Sequence, residues 1–242
     1  MELSIVIPAY EESHKIARDV EAAAAFFAAG QLDGELIVVD DGSRDDTSGA
    51  ARRAGEQFGA PLRVIRLDAN HGKGGAVRAG ILESRGEFVL FADSGYSVPF
   101  EWALTGIEMI QAGQCDIAHG SRKMPGCHIV RRQPALRRFC SKAFRRFVDI
   151  LLQVPRDLTD TQCGFKVYRT DIAKRLYGEL VTEGFTFDIE ILLRAVRHGY
   201  RIREFPIEWA CDCDSRISIH HTSWRVLREL LRIRAVLARE RQ

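Results

Sequence analysis

Asp40 and Asp41 stand side by side where the apolar run Leu36–Val39 ends, and Gly42, Ser43 and Asp45 follow. Such residues can make a turn and cap a helix. A buried strand end is nevertheless a costly place for two adjacent acids unless something pairs with them. A uracil N–H and ribose hydroxyls would do so. Asp93 closes another apolar run, Phe88–Ala92, with Ser94 and Gly95 behind it. Between the two lies Asn70-His71-Gly72-Lys73-Gly74-Gly75, which invites comparison with phosphate-binding loops. A Walker loop needs glycine where Leu67 stands and Ser or Thr where Gly74 stands. The dinucleotide pattern needs glycine where Val77 stands. With both excluded, a flexible turn into a helix N-terminus remains, with Lys73 on it: a generic anion or ribose site.

Further along, residues 122–146 hold Arg122, Lys123, Arg131, Arg132, Arg137, Arg138, Lys142, Arg145 and Arg146 against no acid. A solvated helix face would mix in Glu and Asp, so this block marks where phosphate or an anionic surface is met. Asp160-Thr161-Gln162-Cys163-Gly164-Phe165-Lys166 reads, in isolation, as a polar turn before a strand. Pro8-Ala9-Tyr10-Glu11-Glu12 reads as a strand end followed by acids that suit a helix dipole.

Elements must hold these residues in place. Apolar runs predict strands over 3–7, 36–39, 62–67 and 88–92, and helices over 12–29, 45–58 and 74–84. Regular alternation calls for an α/β fold, a mostly parallel sheet with helices on both faces. Ligands of such sheets sit beyond the carboxyl ends of the strands, where each polar motif of this half falls. Beyond them we expect a helix over 100–112, a strand over 115–119 and a basic loop over 120–133. Strands near 165–168 and 201–207 and helices over 171–177 and 187–198 complete the pattern. Basic amphipathic helices are expected over 135–154 and 222–239. The stripe Phe139, Phe144, Phe147, Val148 and Leu151 faces a core, while a polar face of one charge sign is what anionic headgroups select. His220 and His221 read as a polar loop.

The chain has 242 residues, 46% hydrophobic and 28% charged, with a net charge of +2. That suits one large α/β domain and is no general magnet for polyanions. Nucleic-acid binding is disfavoured, because the basic residues lack interleaved aromatics for stacking. The six cysteines make no disulfide framework and no Cys-x-x-Cys pair, as expected of reduced thiols in the cytosol. The N-terminus has no signal-peptide pattern, and no run reaches the about 20 apolar residues of a membrane span. If this chain works at a membrane, it lies on it.

Taken together, Val38-Val39-Asp40-Asp41-Gly42-Ser43, Asn70-His71-Gly72-Lys73-Gly74 and Asp160-Thr161-Gln162-Cys163-Gly164-Phe165 resemble motifs of one family. It is the inverting GT-A glycosyltransferases (family 2), specifically the polyprenyl (dolichyl) phosphate hexosyltransferases. The likeness covers almost the whole chain. It implies a single GT-A domain, with a nucleotide-sugar half over 1–119 and an acceptor half over 120–242. It also implies a donor site of Pro8, Tyr10, Glu12, Asp41, Asn70, Gly72, Lys73, Asp93, Ser94 and Arg216, and favours a UDP-glucose-like donor. Arg122, Arg131 and Gln162 would meet the acceptor phosphate, and Asp160 would face the anomeric centre. Asp93 aligns with the first acid of a metal motif that holds Mg²⁺ or Mn²⁺ against the diphosphate. Gly95 replaces the second, so a metal would be held by one carboxylate. Peripheral contact with the cytoplasmic face of a membrane is implied too. Rival readings are a soluble acceptor on the same fold, and a nucleotide-sugar-binding protein without catalysis.

Overall fold

The computed structural model describes residues 1–30, 32–131, 135–155, 157–211 and 219–239, with the backbone alone for 135–142 and 219–225. The first half runs β1 (Leu3–Ala9), α1 (Ile16–Ala28), β2 (Gly34–Asp40), α2 (Thr47–Phe58), β3 (Leu62–Arg66), α3 (Lys73–Glu83), β4 (Phe88–Ala92) and α4 (Trp102–Gln111). The second runs β5 (Ile117–Ser121), β6 (His128–Arg131), α5 (Ala135–Leu152), β7 (Phe165–Arg169), α6 (Thr170–Gly178), α7 (Phe187–Arg197), β8 (Ile202–Pro206), β9 (Glu208–Ala210) and α8 (Ile219–Arg239).

Seven strands form the central sheet in the order β3-β2-β1-β4-β7-β5-β8. All neighbours are parallel except β7, which runs antiparallel to both β4 and β5. Side chains alternate between two covered faces. Leu3, Ile5 and Ile7 pack with α1, α2 and α4, whereas Val6, Ile37, Val39 and Phe91 pack with α3, α6 and α7. Burial on both sides is why these strands read as unbroken apolar runs in the sequence.

The topology decides where chemistry can sit. Parallel β1, β2, β4 and β5 place their carboxyl ends on one rim, and antiparallel β7 begins on that rim. Tyr10, Asp41, Asp93, Arg122 and Gly164 therefore share it. The order of strands reverses at β1, the switch point where such sheets open a crevice.

Two expectations are corrected. The basic loop over 120–133 contains β6, which pairs with β9 in a two-stranded ribbon. All four residues of β6 are exposed, so no apolar pattern announced it. His220 and His221 lie in the first turn of α8 rather than in a loop. The amphipathic stripe of α5 is divided. Val148 joins Ile189, Leu193, Leu230, Ile233 and Leu237 in a satellite core, while Phe147 points outward, 45% exposed, as does Ile150 outside the stripe, 69% exposed.

Candidate active site

Asp40 and Asp41 find their partners within the chain. Asp40 accepts from the Ser43 N–H at 2.9 Å and from the Ser48 hydroxyl. Asp41, almost fully buried, accepts from the His71 N–H on Oδ1 and the Gly72 N–H on Oδ2, each at 2.8 Å. The pairing expected from a base and ribose is thus supplied by the 70–72 turn, which Asp41 fixes in place. Burial raises the Asp41 pKa, and the two N–H groups work against that rise. The amides of the following turn are also taken, because Gly74 and Gly75 both donate to the Glu183 carbonyl, at 2.7 and 3.2 Å. The amides of residues 71, 72, 74 and 75 are thus occupied, and the charged donor at this helix N-terminus is the Lys73 side chain.

Lys73 Nζ lies 2.7 Å from Asp93 Oδ1, and no other described N–H or O–H donates to that oxygen. Burial pushes the Lys73 pKa down, but the charges of Asp93 and Asp188 outweigh it and the net shift is upward. Lys73 stays a cation. The neighbouring strand leaves room for Asp93 only because residue 164 is glycine: a Cβ there would stand 1.9 Å from Asp93 Oδ1. The Asp93 N–H in turn donates to the Gly164 carbonyl at 2.8 Å. Gly95, which stands where the family's metal motif has its second acid, is a turn residue with φ +92°. Its N–H and that of Tyr96 are gripped by Asp19 of α1, at 2.8–3.0 Å.

Asp19 is fully buried, and desolvation pushes its pKa up to about 7. Its folded value is raised above the unfolded one, so its contribution to stability is greatest below the ordinary carboxyl range. That contribution falls as pH rises to about 7, with a slope of up to about 1.4 kcal/mol per pH unit. Asp19→Asn keeps an oxygen for both N–H groups. We expect its denaturant midpoint to vary less between pH 5 and 8 than that of the wild type; an identical pH profile contradicts the assignment.

Asp160 is buried against Arg122. The guanidinium donates through Nε to Oδ2 at 2.7 Å and through Nη2 to Oδ1 at 2.8 Å, and the Arg122 N–H adds a third bond at 3.1 Å. Burial alone would raise the Asp160 pKa, yet Arg122 holds it well below the usual carboxylate range. The pair rests on Trp209 of β9, whose ring centre is 5.3 Å from the guanidinium carbon. Glu204 accepts from the Thr159 and Asp160 N–H groups at 3.0 and 2.7 Å. Arg145 donates to the Thr159 carbonyl at 2.9 Å and also to that of Leu158.

The basic block is therefore less free than its acid-poor sequence suggests. Asp160 and Asp149 reach back to Arg122 and Arg145, from outside the block, so Arg145 acts as a strut. Arg131 ends β6 and is exposed. Arg216 and Arg132 lie outside the described residues. Tyr10, Ser94 and Gln162 are half-buried on the rim, Pro8 is buried in β1 and Asn70 is exposed. Glu12 pairs with Lys15 at 3.1 Å, and its N–H donates to Thr47. Cys163 is buried and its thiol pKa is pushed up to about 12, so it is no nucleophile. Sequence reasoning missed Asp19, Asp188, Glu204 and Trp209, which act through the fold and sit in no motif pattern of their own, and it gave Lys166, the last residue of the 160–166 motif, no role.

A family model for glycosyl transferase family 2 matches residues 4–177 of this chain. The chain belongs to glycosyl transferase family 2. Dolichyl-phosphate beta-glucosyltransferase of Saccharomyces cerevisiae is 34% identical over 248 residues, covering 96% of this chain and 74% of the yeast protein. The Homo sapiens protein of that name is 34% identical over 219 residues, 86% of this chain and 67% of its own. Among solved structures, Mycobacterium tuberculosis glucosyl-3-phosphoglycerate synthase with bound UDP gives a TM-score of 0.70 at 18% identity, over 96% of this chain and 79% of that one. The same synthase with Mn²⁺, UDP-glucose and phosphoglyceric acid gives 0.61 at 19% identity, over 81% of this chain and 65% of its own. At such identity the likeness is one of fold, the GT-A fold that this family 2 transferase adopts.

Proposed function

We propose that this glycosyltransferase moves a hexose from a UDP-glucose-like donor to a polyprenyl or dolichyl phosphate, with inversion at the anomeric carbon. The observation that carries the reading is the pairing of Lys73 with Asp93 and of Arg122 with Asp160 on one rim. The names of the yeast and human relatives support the acceptor class.

In this reading an acceptor phosphate oxygen attacks the anomeric carbon, the bond from that carbon to the donor diphosphate breaks, and a nucleoside diphosphate leaves. A phosphate monoester, with a second pKa of about 6, is already largely ionised at neutral pH. Asp160, locked as a carboxylate by Arg122, is thus an orienting group more than a base. Nη1 of Arg122 has no acceptor among the described residues, and with Lys123 beside it forms the cationic face for the acceptor phosphate. Gln162 and Arg131 are further acceptor contacts, and Arg216 a further donor contact. Lys73 meets the departing diphosphate, and catalysis is alignment plus charge stabilisation.

No cluster of three metal-binding side chains exists among the described residues. Asp93 would hold Mg²⁺ or Mn²⁺ through its one carboxylate, which suits an ion that keeps several water ligands. Such an ion, when bound, neutralises charge on the leaving group.

No described helix is long and apolar enough to cross a membrane. Phe147 and Ile150 on α5 and Leu231 on α8 are exposed beside Arg146 and Arg232, which suits peripheral contact with an anionic, cytoplasm-facing bilayer surface. Changing Phe147 and Ile150 together to Ser is expected to weaken binding to phosphatidylserine vesicles about ten-fold or more. Unchanged co-sedimentation contradicts that surface. For the reaction itself, the test is release of UDP from UDP-glucose with and without a short polyprenyl phosphate. Release only when the lipid phosphate is present supports the reading; equal release in both, or in neither, opposes it.

A further inference from the structure

One buried charged pair has no part in the chemistry above. Lys166 sits in mid-strand on β7, opposite Phe91 and His119, and is fully buried. Its ammonium pairs with Asp188 at the start of α7 and donates to the Cys163 carbonyl at 2.7 Å. Asp188 is itself 4% exposed. A buried ion pair is weak support for stability, since apolar side chains of similar volume do as well or better.

Its neighbours point to another purpose. The ammonium groups of Lys166 and Lys73 each lie 5.5 Å from the centre of one ring, that of Phe91. The starts of α3 and α7 are pressed together: a Cβ on Gly74 would stand 2.7 Å from Phe187 Cβ. Two ion pairs, Asp93–Lys73 and Asp188–Lys166, thus meet at the Phe91 ring. Asp188 ranks next after Asp93 among the groups that keep Lys73 charged against burial.

We propose that Asp188, with Lys166 as its counter-ion, is a positioning residue that holds the Lys73 ammonium at the place of the donor's diphosphate. The proposal rests on the donor reading above. Because Lys166 occupies the Asp188 carboxylate directly, Asp188 biases Lys73 by charge without tying it by a bond. Lys73 can then leave Asp93 for a phosphate oxygen while an anion remains behind it. Without Asp188, Lys166 and Lys73 would be two cations facing one ring with Asp93 alone to balance them.

Calorimetric titration of the full chain with UDP and with uridine tests this. Asp188→Asn is expected to weaken UDP about ten-fold, the scale of a lost through-space charge interaction in a partly buried site, and to leave uridine unchanged. That variant strands Lys166 and can fail to fold. The decisive variant is therefore K166M/D188L, which removes both charges together and keeps the apolar packing. The same selective loss of UDP is expected for it. Wild-type affinity for UDP in the double variant overturns the proposal. An equal loss for UDP and uridine also overturns it, since that marks mere support of the fold. A wild-type protein that binds neither ligand overturns the donor reading and the proposal with it.

Discussion

Asp160→Asn is expected to lower kcat by about 10²–10³, the loss that follows removal of one preorganised polar group from a reacting centre. Asp160 accepts three bonds from Arg122, one from its backbone N–H and two from the guanidinium, which those two aim. Asparagine offers a single acceptor oxygen, so the fork loses its second anchor and swings over Trp209. Stability should fall as well, because a mostly buried cation is left with half its partner. Adding Arg122→Met should recover much of that stability and none of the activity. The pH dependence separates this account from one in which Asp160 is a base. Its pKa is depressed in the folded chain, so its stabilising charge is lost only as pH falls below the ordinary carboxylate range. Between pH 5 and 8 the rate should carry no titration of Asp160. A variant within three-fold of wild type, or a wild-type rate that carries a carboxyl titration between pH 5 and 8 in addition to the acceptor phosphate's own second ionisation near pH 6, contradicts this role.

Gly164→Ala should be nearly as damaging although it removes no functional group. The added methyl would stand 1.9 Å from Asp93 Oδ1. The backbones of residues 93 and 164 are joined by a 2.8 Å hydrogen bond and cannot simply part. The carboxylate must rotate away from Lys73. Misplacement by about 1 Å at a reacting centre costs about 10²-fold, and that is the expected fall in kcat/KM. Asp93→Ala should show a loss of the same order, and the two changes combined little more than either. Steady-state rates beside thermal unfolding curves check this. A Gly164→Ala enzyme with normal kcat/KM, or one that has lost its fold, contradicts the explanation.

What the sequence made legible was the part written in local pattern. Apolar runs ending in Asp40, Asp93 and Pro8 announced buried strands and a rim, since a strand covered on both faces needs no alternation. The Asp160–Phe165 motif and the basic block pointed to one end of the sheet, where Asp160 and Arg122 do meet. The partners of the acids were not legible. Asp41 answers to amides 30 and 31 residues away, and Asp160 to an arginine 38 residues upstream. Asp19 sits inside an alanine-rich helix and looks like a misplaced surface acid until β4 brings Gly95 and Tyr96 above it. Strand β6 was hidden because its exposed residues gain order only by pairing with β9, 77 residues or more downstream. Lys166 reads as an edge residue of a motif, and only the mixed sheet shows that it lies in the interior.

The central claim is tested most directly by the anomeric configuration of the product. With α-linked UDP-glucose and a short polyprenyl phosphate, proton NMR of the purified lipid should show one β-linked glucosyl phosphate, with UDP formed in equal amount. An α-linked product, or glucose and UDP with no glycolipid, would contradict it.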